Sequence, residues 1–109
     1  MIAGPYSSGG ADDVTRAQNL AAMNAAALNI FDKGHIPIIE VNMALPVIGA
    51  AGPDRFDEIM MPLSLALADG CDAILCIGDV SAGADEEVER MRAAGKPVYF
   101  ALDEISEDV

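Results

Sequence analysis

Residues 72–87 read Asp72-Ala73-Ile74-Leu75-Cys76-Ile77-Gly78-Asp79-Val80-Ser81-Ala82-Gly83-Ala84-Asp85-Glu86-Glu87. Ala73 to Ile77 is a short unbroken apolar run that stops at Gly78. Such a run, bounded by turn residues, is the pattern of a strand covered on both faces. A Ser/Gly/acidic segment, Ser81 to Glu87, then opens a helix to Ala94, where Gly95 stops it. Lys96 to Ala101 reads as the next strand. Strand, loop, helix and strand make a βαβ unit, which implies a right-handed crossover and parallel pairing.

The same alternation extends toward the other end. Met1 to Ala3 reads as a first strand, ended by Gly4-Pro5. Tyr6 to Ala11 is a Ser/Gly loop. Asp12 or Asp13 caps a helix that runs to about Lys33, with Gly34 as its stop. Its apolar face is read at Ala17, Leu20, Ala21, Met23 or Asn24, Ala25, Leu28 and Phe31. Ile36 to Val41 is a predicted second strand, apolar except at Pro37 and Glu40; Pro37 suits an edge. Residues 42–53 read as a long loop whose Met43, Leu45, Val47 and Ile48 line a pocket or a subunit interface. A helix from Asp54 is predicted to break or kink at Pro62 and to end at Asp69-Gly70. The acidic tail, Asp103 to Val109, is one helical turn or disordered. The fold expected is α/β: a flavodoxin-like (Rossmann-like) three-layer sandwich with a four- or five-stranded parallel sheet, one domain over residues 1–109.

The net charge of −12 argues against nucleic-acid polymers and anionic membranes, which need clustered basic residues. The six basic residues are scattered. No run is long enough to span a bilayer, and no basic start precedes an apolar stretch, so a cytoplasmic location is expected. Cys71 and Cys76 lack C-x-x-C spacing and read as small buried hydrophobes. No metal site or cofactor is expected.

In open α/β sheets, ligands bind beyond the carboxyl ends of the strands, where strand order reverses. The loops at that point are Gly4–Asp13 and Gly78–Glu87. Gly83 lets a ligand approach the backbone, and Ser81 caps the helix or bonds a ligand oxygen. Ala84, Val88 and Met91 are the expected buried stripe of that helix, and Glu87 borders it. Asp85, Glu86 and Glu87 also fit ordinary acidic helix starters. Tyr6, Ser7, Ser8, Gly9 and Gly10 are further binding candidates beside their plain reading as a polar turn. His35, the only histidine, reads as a turn residue. A phospho-receiver domain fits less well, since Lys96-Pro97 precedes a strand and the first loop carries an inserted Ser/Gly run. Neither Gly-rich loop matches G-x-G-x-x-G or G-K-[ST].

In order along the chain stand Ile2-Ala3-Gly4-Pro5-Tyr6, Gly34-His35-x-Pro37, Cys71-Asp72-Ala73-Ile74, Ser81-x-Gly83-Ala84-x-x-Glu87 and Gly95-Lys96-Pro97-Val98. This order resembles the nucleoside 2-deoxyribosyltransferase-like superfamily, which includes 2′-deoxynucleoside 5′-phosphate N-hydrolases. The resemblance implies cleavage of the N-glycosidic bond of a nucleoside or nucleoside monophosphate, with Glu87 as nucleophile. It implies Ser81 as a phosphate contact, and Gly4 and Tyr6 to Gly10 around the sugar or phosphate. The family often carries an Asp where Ser64 stands, so Asp57 or Glu58 is the substitute acid expected here. Arg16 is the nearest basic residue to the first loop. A homodimer or higher homo-oligomer is expected, with a small nucleoside or nucleotide as ligand. The alternative readings are a non-catalytic nucleotide-binding or sensing module of the same fold, and an interaction protein that assembles through residues 43–48.

Overall fold

The computed structural model describes residues 1–4, 6, 12–78 and 82–107. Its elements in chain order are β1 (Ile2–Ala3), α1 (Asp13–Asp32), α2 (Glu40–Ala51), a 3₁₀ turn (Pro53–Arg55), α3 (Phe56–Gly70), β2 (Ile74–Cys76), α4 (Ala82–Ala93), β3 (Val98–Tyr99) and a closing 3₁₀ turn (Leu102–Glu104). The strands pair in parallel in the order β1-β2-β3, with Ile2 opposite Leu75 and Ile74 opposite Val98.

Local chemistry sets the ends of α1. The Asp12 carboxylate accepts a hydrogen bond from the Thr15 N–H at 2.8 Å, satisfying one of the open donors at the helix start. Gly34, at φ +93°, takes the left-handed conformation that ends the helix region.

The four- or five-stranded flavodoxin-like sandwich does not form. Among the described residues, four helices of 12 to 20 residues surround a sheet of three strands, each of two or three residues. The predicted second strand contributes one bridge, Ile2 to Ile39, where the Ile2 N–H donates to Ile38 O at 2.8 Å. Pro37 has no N–H to offer a ladder. From Glu40 the backbone is helical, because Val41, Ala44 and Ile48 recur at helical spacing and bury together. Most of the predicted 42–53 loop is therefore helix, with Leu45 packed against the core. Pro46 and Pro62 both lie inside helices, and α3 runs through Pro62 to Gly70. A proline inside a helix costs about 3 kcal/mol. Past Pro62, α3 is held by Ala68, buried in the core, and by Leu67, packed against it.

The sheet separates two apolar clusters. Ile2 and Leu75 face Met23, Ala26 and Ile30 of α1, joined by Ile39 and Val41. Ala3 and Ile74 face Ala68 of α3 and Val88 and Met91 of α4. The inward face of α1 is only partly the predicted stripe: Met23 is buried and Leu20 packs against the core, but Leu28 and Phe31 are 63% and 59% exposed, and Ala26 and Ile30, outside that stripe, are buried. The helix carries two apolar stripes, and the sheet covers only one.

Both lysines bind carbonyl oxygens. Lys33 Nζ donates to Leu102 O at 2.7 Å and to Ile105 O at 3.0 Å, and Lys96 Nζ donates to Asp69 O at 2.8 Å at the end of α3. His35 Nε2 lies 2.6 Å from Ser106 O, so the same tail is held twice. Both cysteines are free; Cys71 is buried and Cys76 half-buried.

Gly4 follows β1 and lies against Ile77, the residue after β2. A Cβ on it would sit 3.0 Å from Ile77 Cγ1 and 3.1 Å from Ile77 O. Gly4→Ala is expected to destabilise the fold by about 1–3 kcal/mol, read from the denaturant midpoint. A midpoint equal to that of the native chain would show that the β1 end has spare room.

Candidate functional site

Burial of Val88 and Met91 fixes the rotation of α4, and that rotation carries Glu87 inward. Glu87 is 3% exposed. The other buried polar or charged residues among those described are Ser64 at 3% and Glu40 at 5%. The Ser64 hydroxyl, from α3, donates a hydrogen bond to the Glu87 carboxylate. Glu40 is the first residue of α2, one position past the Ile39 bridge. One oxygen of each carboxyl, Glu87 Oε2 and Glu40 Oε2, is buried with no hydrogen-bond partner among the described residues.

The electrostatics tie these groups into one cluster. Burial, and next the negative charge of Glu40, push the Glu87 carboxyl up to about 8, while the Ser64 hydrogen bond pulls it the other way. Burial pushes Glu40 up to about 7 against a hydrogen bond from its own backbone. The Cys76 thiol, at the carboxyl end of β2, is also raised, by burial first and then by Glu87 and Glu40. A raised thiol is a poor nucleophile at neutral pH. Two carboxyls in a low-dielectric site resist ionising together, so over an interval of neutral pH the pair keeps one proton. A proton donor and a bare carboxylate then stand near each other, the division of roles that acid–base and nucleophilic catalysis needs.

The other candidates fall elsewhere. Gly83 is the second residue of α4. Gly4 packs on Ile77. Tyr6 stacks on Phe56 with ring centroids 6.5 Å apart, its carbonyl accepts from Asn19 Nδ2 at 3.0 Å, and it packs in the cluster on the α1 side. Ser7, Ser8, Gly9, Gly10 and Ser81 lie outside the described residues. Asp57 and Glu58 are exposed on the first turn of α3, and Glu58 is held by Arg55 at 2.9 Å through two hydrogen bonds. Neither is buried as Glu87 is; the carboxyl whose charge raises Glu87 is Glu40. Sequence reasoning passed over Glu40 although its signal was present: it is the one carboxylate inside the apolar run Ile36–Val41.

No group of three or more His, Cys, Asp or Glu among the described residues is placed to hold a metal ion. No helix among them is long and apolar enough to cross a membrane. The chain matches no family model, no curated protein and no solved structure.

Raised carboxyls make stability depend on pH. The folded chain holds these two protons more tightly than the unfolded chain, whose carboxyls titrate near the usual value of about 4.3. Below that pH both states are protonated and the burial carries no penalty. As pH rises from about 4.5 toward 8, the unfolded chain gains by ionising and stability falls. The native melting temperature is expected to drop across this window. Glu87→Gln and Glu40→Gln should each flatten the drop and melt higher at pH 8. Slopes unchanged in both variants would mean that other groups set the dependence.

Proposed function

We propose that the protein breaks the N-glycosidic bond of a small nucleoside or nucleoside monophosphate, with Glu87 as the attacking carboxylate and Glu40 as the proton donor. The observation that carries this reading is the buried Glu87–Glu40 pair, one oxygen of each unpartnered and Glu87 held by Ser64. The order of motifs that resembles the nucleoside 2-deoxyribosyltransferase-like superfamily supports the same role for Glu87.

A Glu87 oxygen forms a bond to C1′ as the C1′–N bond breaks. The bonding electrons pass to the base nitrogen, which takes the Glu40 proton. Water then attacks the glycosyl ester, returns a proton to Glu40 and frees Glu87; a second base in place of water gives transfer. Positive charge developing at C1′ favours ionised Glu87 and moves the proton to Glu40, and the Ser64 hydrogen bond works in the same direction. Both carboxyls are covered, so a substrate reaching C1′ contact must displace what covers them.

The test is release of free base from a panel of nucleosides and their monophosphates. Glu87→Ala should lose nearly all release, and azide should restore it as the glycosyl azide. Glu40→Gln should lose about 10²- to 10⁴-fold on an ordinary base and far less on a substrate whose leaving group needs no proton. The native rate should follow a narrow bell, falling below about pH 7 as both carboxyls protonate and above about 8 as both ionise. Glu40→Gln should remove one limb. No base released by the native protein, or full release by Glu87→Ala, would end this reading.

A further inference from the structure

The outward side of α1 has the composition of an inward one. From Ala17 to Phe31 the helix carries no charged residue, in a chain whose net charge is −12. Ala17, Ala21, Asn24, Leu28 and Phe31 recur at the helical period, and all are exposed. The exposed side of α2 matches it. Asn42, Met43, Pro46 and Val47 are exposed, and residues 41–53 contain no charge. The two helices meet where Asn42 Nδ2 donates to Asn24 Oδ1 at 2.9 Å. Exposed Ile36 lies in the segment that joins them.

We propose that this uncharged α1–α2 face docks a second copy of the same chain through a two-fold interface around Asn24 and Asn42. Charge decides the occupant. Two copies at −12 repel wherever acidic surface meets acidic surface, as it would across Asp85, Glu86 and Glu89 of α4. The α1–α2 face lets them approach with no charge in the contact. A partner of opposite charge would be drawn to the acidic faces instead. The amide pair suits self-recognition as well. The Asn24–Asn42 bond leaves the Asn24 NH₂ to donate and the Asn42 carbonyl oxygen to accept, and a two-fold axis sets each opposite the other. The docking is independent of the chemistry at Glu87.

Sedimentation velocity on the full chain tests it. The expected species at micromolar concentration has twice the 11.3 kDa chain mass, and salt should strengthen it by screening the net repulsion. By symmetry, Leu28→Asp or Met43→Asp places two carboxylates in the interface. Each should weaken association at least about tenfold, the loss expected of an unpaired buried charge. Because both residues are exposed, circular dichroism and melting of the monomer should not change. Val47→Lys gives a third reading should either aspartate variant fail to fold, and Glu89→Gln on α4 should leave the dimer intact. A native chain that sediments as a monomer, or a dimer that survives folded Leu28→Asp and Met43→Asp variants, overturns the proposal.

Discussion

Two backbone hydrogen bonds hold the centre of this fold: Leu75 and Ile77 donate to Met1 O and Ala3 O, each at 2.9 Å. The strands they join hold only two and three residues. Each such bond contributes about 1 kcal/mol net, so the ladder sets position more than it supplies stability. Stability comes from what the ladder aligns. Ile2 and Leu75 point to α1, Ala3 and Ile74 point to α3 and α4, and Ile2, Met23, Ile74, Leu75 and Met91 are essentially removed from water. Burying each such side chain fully is worth about 1.5–3 kcal/mol. A sheet this small is a spacer between helices, and the helices decide where the chemistry goes.

That division explains the site. Had Ile36–Val41 continued as a strand, its side chains would alternate between the two faces of the sheet. Instead pairing ends after the Ile39 bridge, and the helix begins at Glu40. The residue at which the strand fails is the residue that joins Glu87. On the other side, Val88 and Met91 hold α4 so that Glu87 turns inward onto Ser64. Three helices each supply one polar side chain, and packing around them excludes the water that would otherwise hydrate two carboxyls.

What was legible in the sequence was what local chemistry fixes. The Asp12 cap and the Gly34 stop bound α1 because they act on their own neighbours. The run at 73–77 became β2, trimmed to Ile74–Cys76. The sheet was overestimated because Ile36–Val41 has the β-branched character of a strand, while the feature that made α2 helical, burial of Val41, Ala44 and Ile48, exists only once β1 and α3 are in place. The prolines misled in the same way: Pro46 and Pro62 are breakers by propensity, and tertiary burial overrode them. Glu87 was visible through its spacing from Gly83 and its motif order. Glu40 was hidden, because a carboxylate in an apolar run acquires meaning only from a partner forty-seven positions away in the chain. On α1, periodicity read one apolar face that included Leu28 and Phe31; Ala26 and Ile30, which it left out, are the residues that bury beside Met23.

The Lys33 ammonium reaches Leu102 O and Ile105 O, across about seventy positions of sequence. β1 likewise pairs with residues more than seventy positions later. On a ribosome, α1 emerges early with its carboxyl end and its neighbouring strand both unsecured. It acquires them only after β2 and then the tail have been made. Local helices therefore form first, and the contacts that lock them close last, which sets folding speed by chain topology rather than by helix propensity. Until those later segments have been made, the inward stripe of α1 is uncovered along with the outward one.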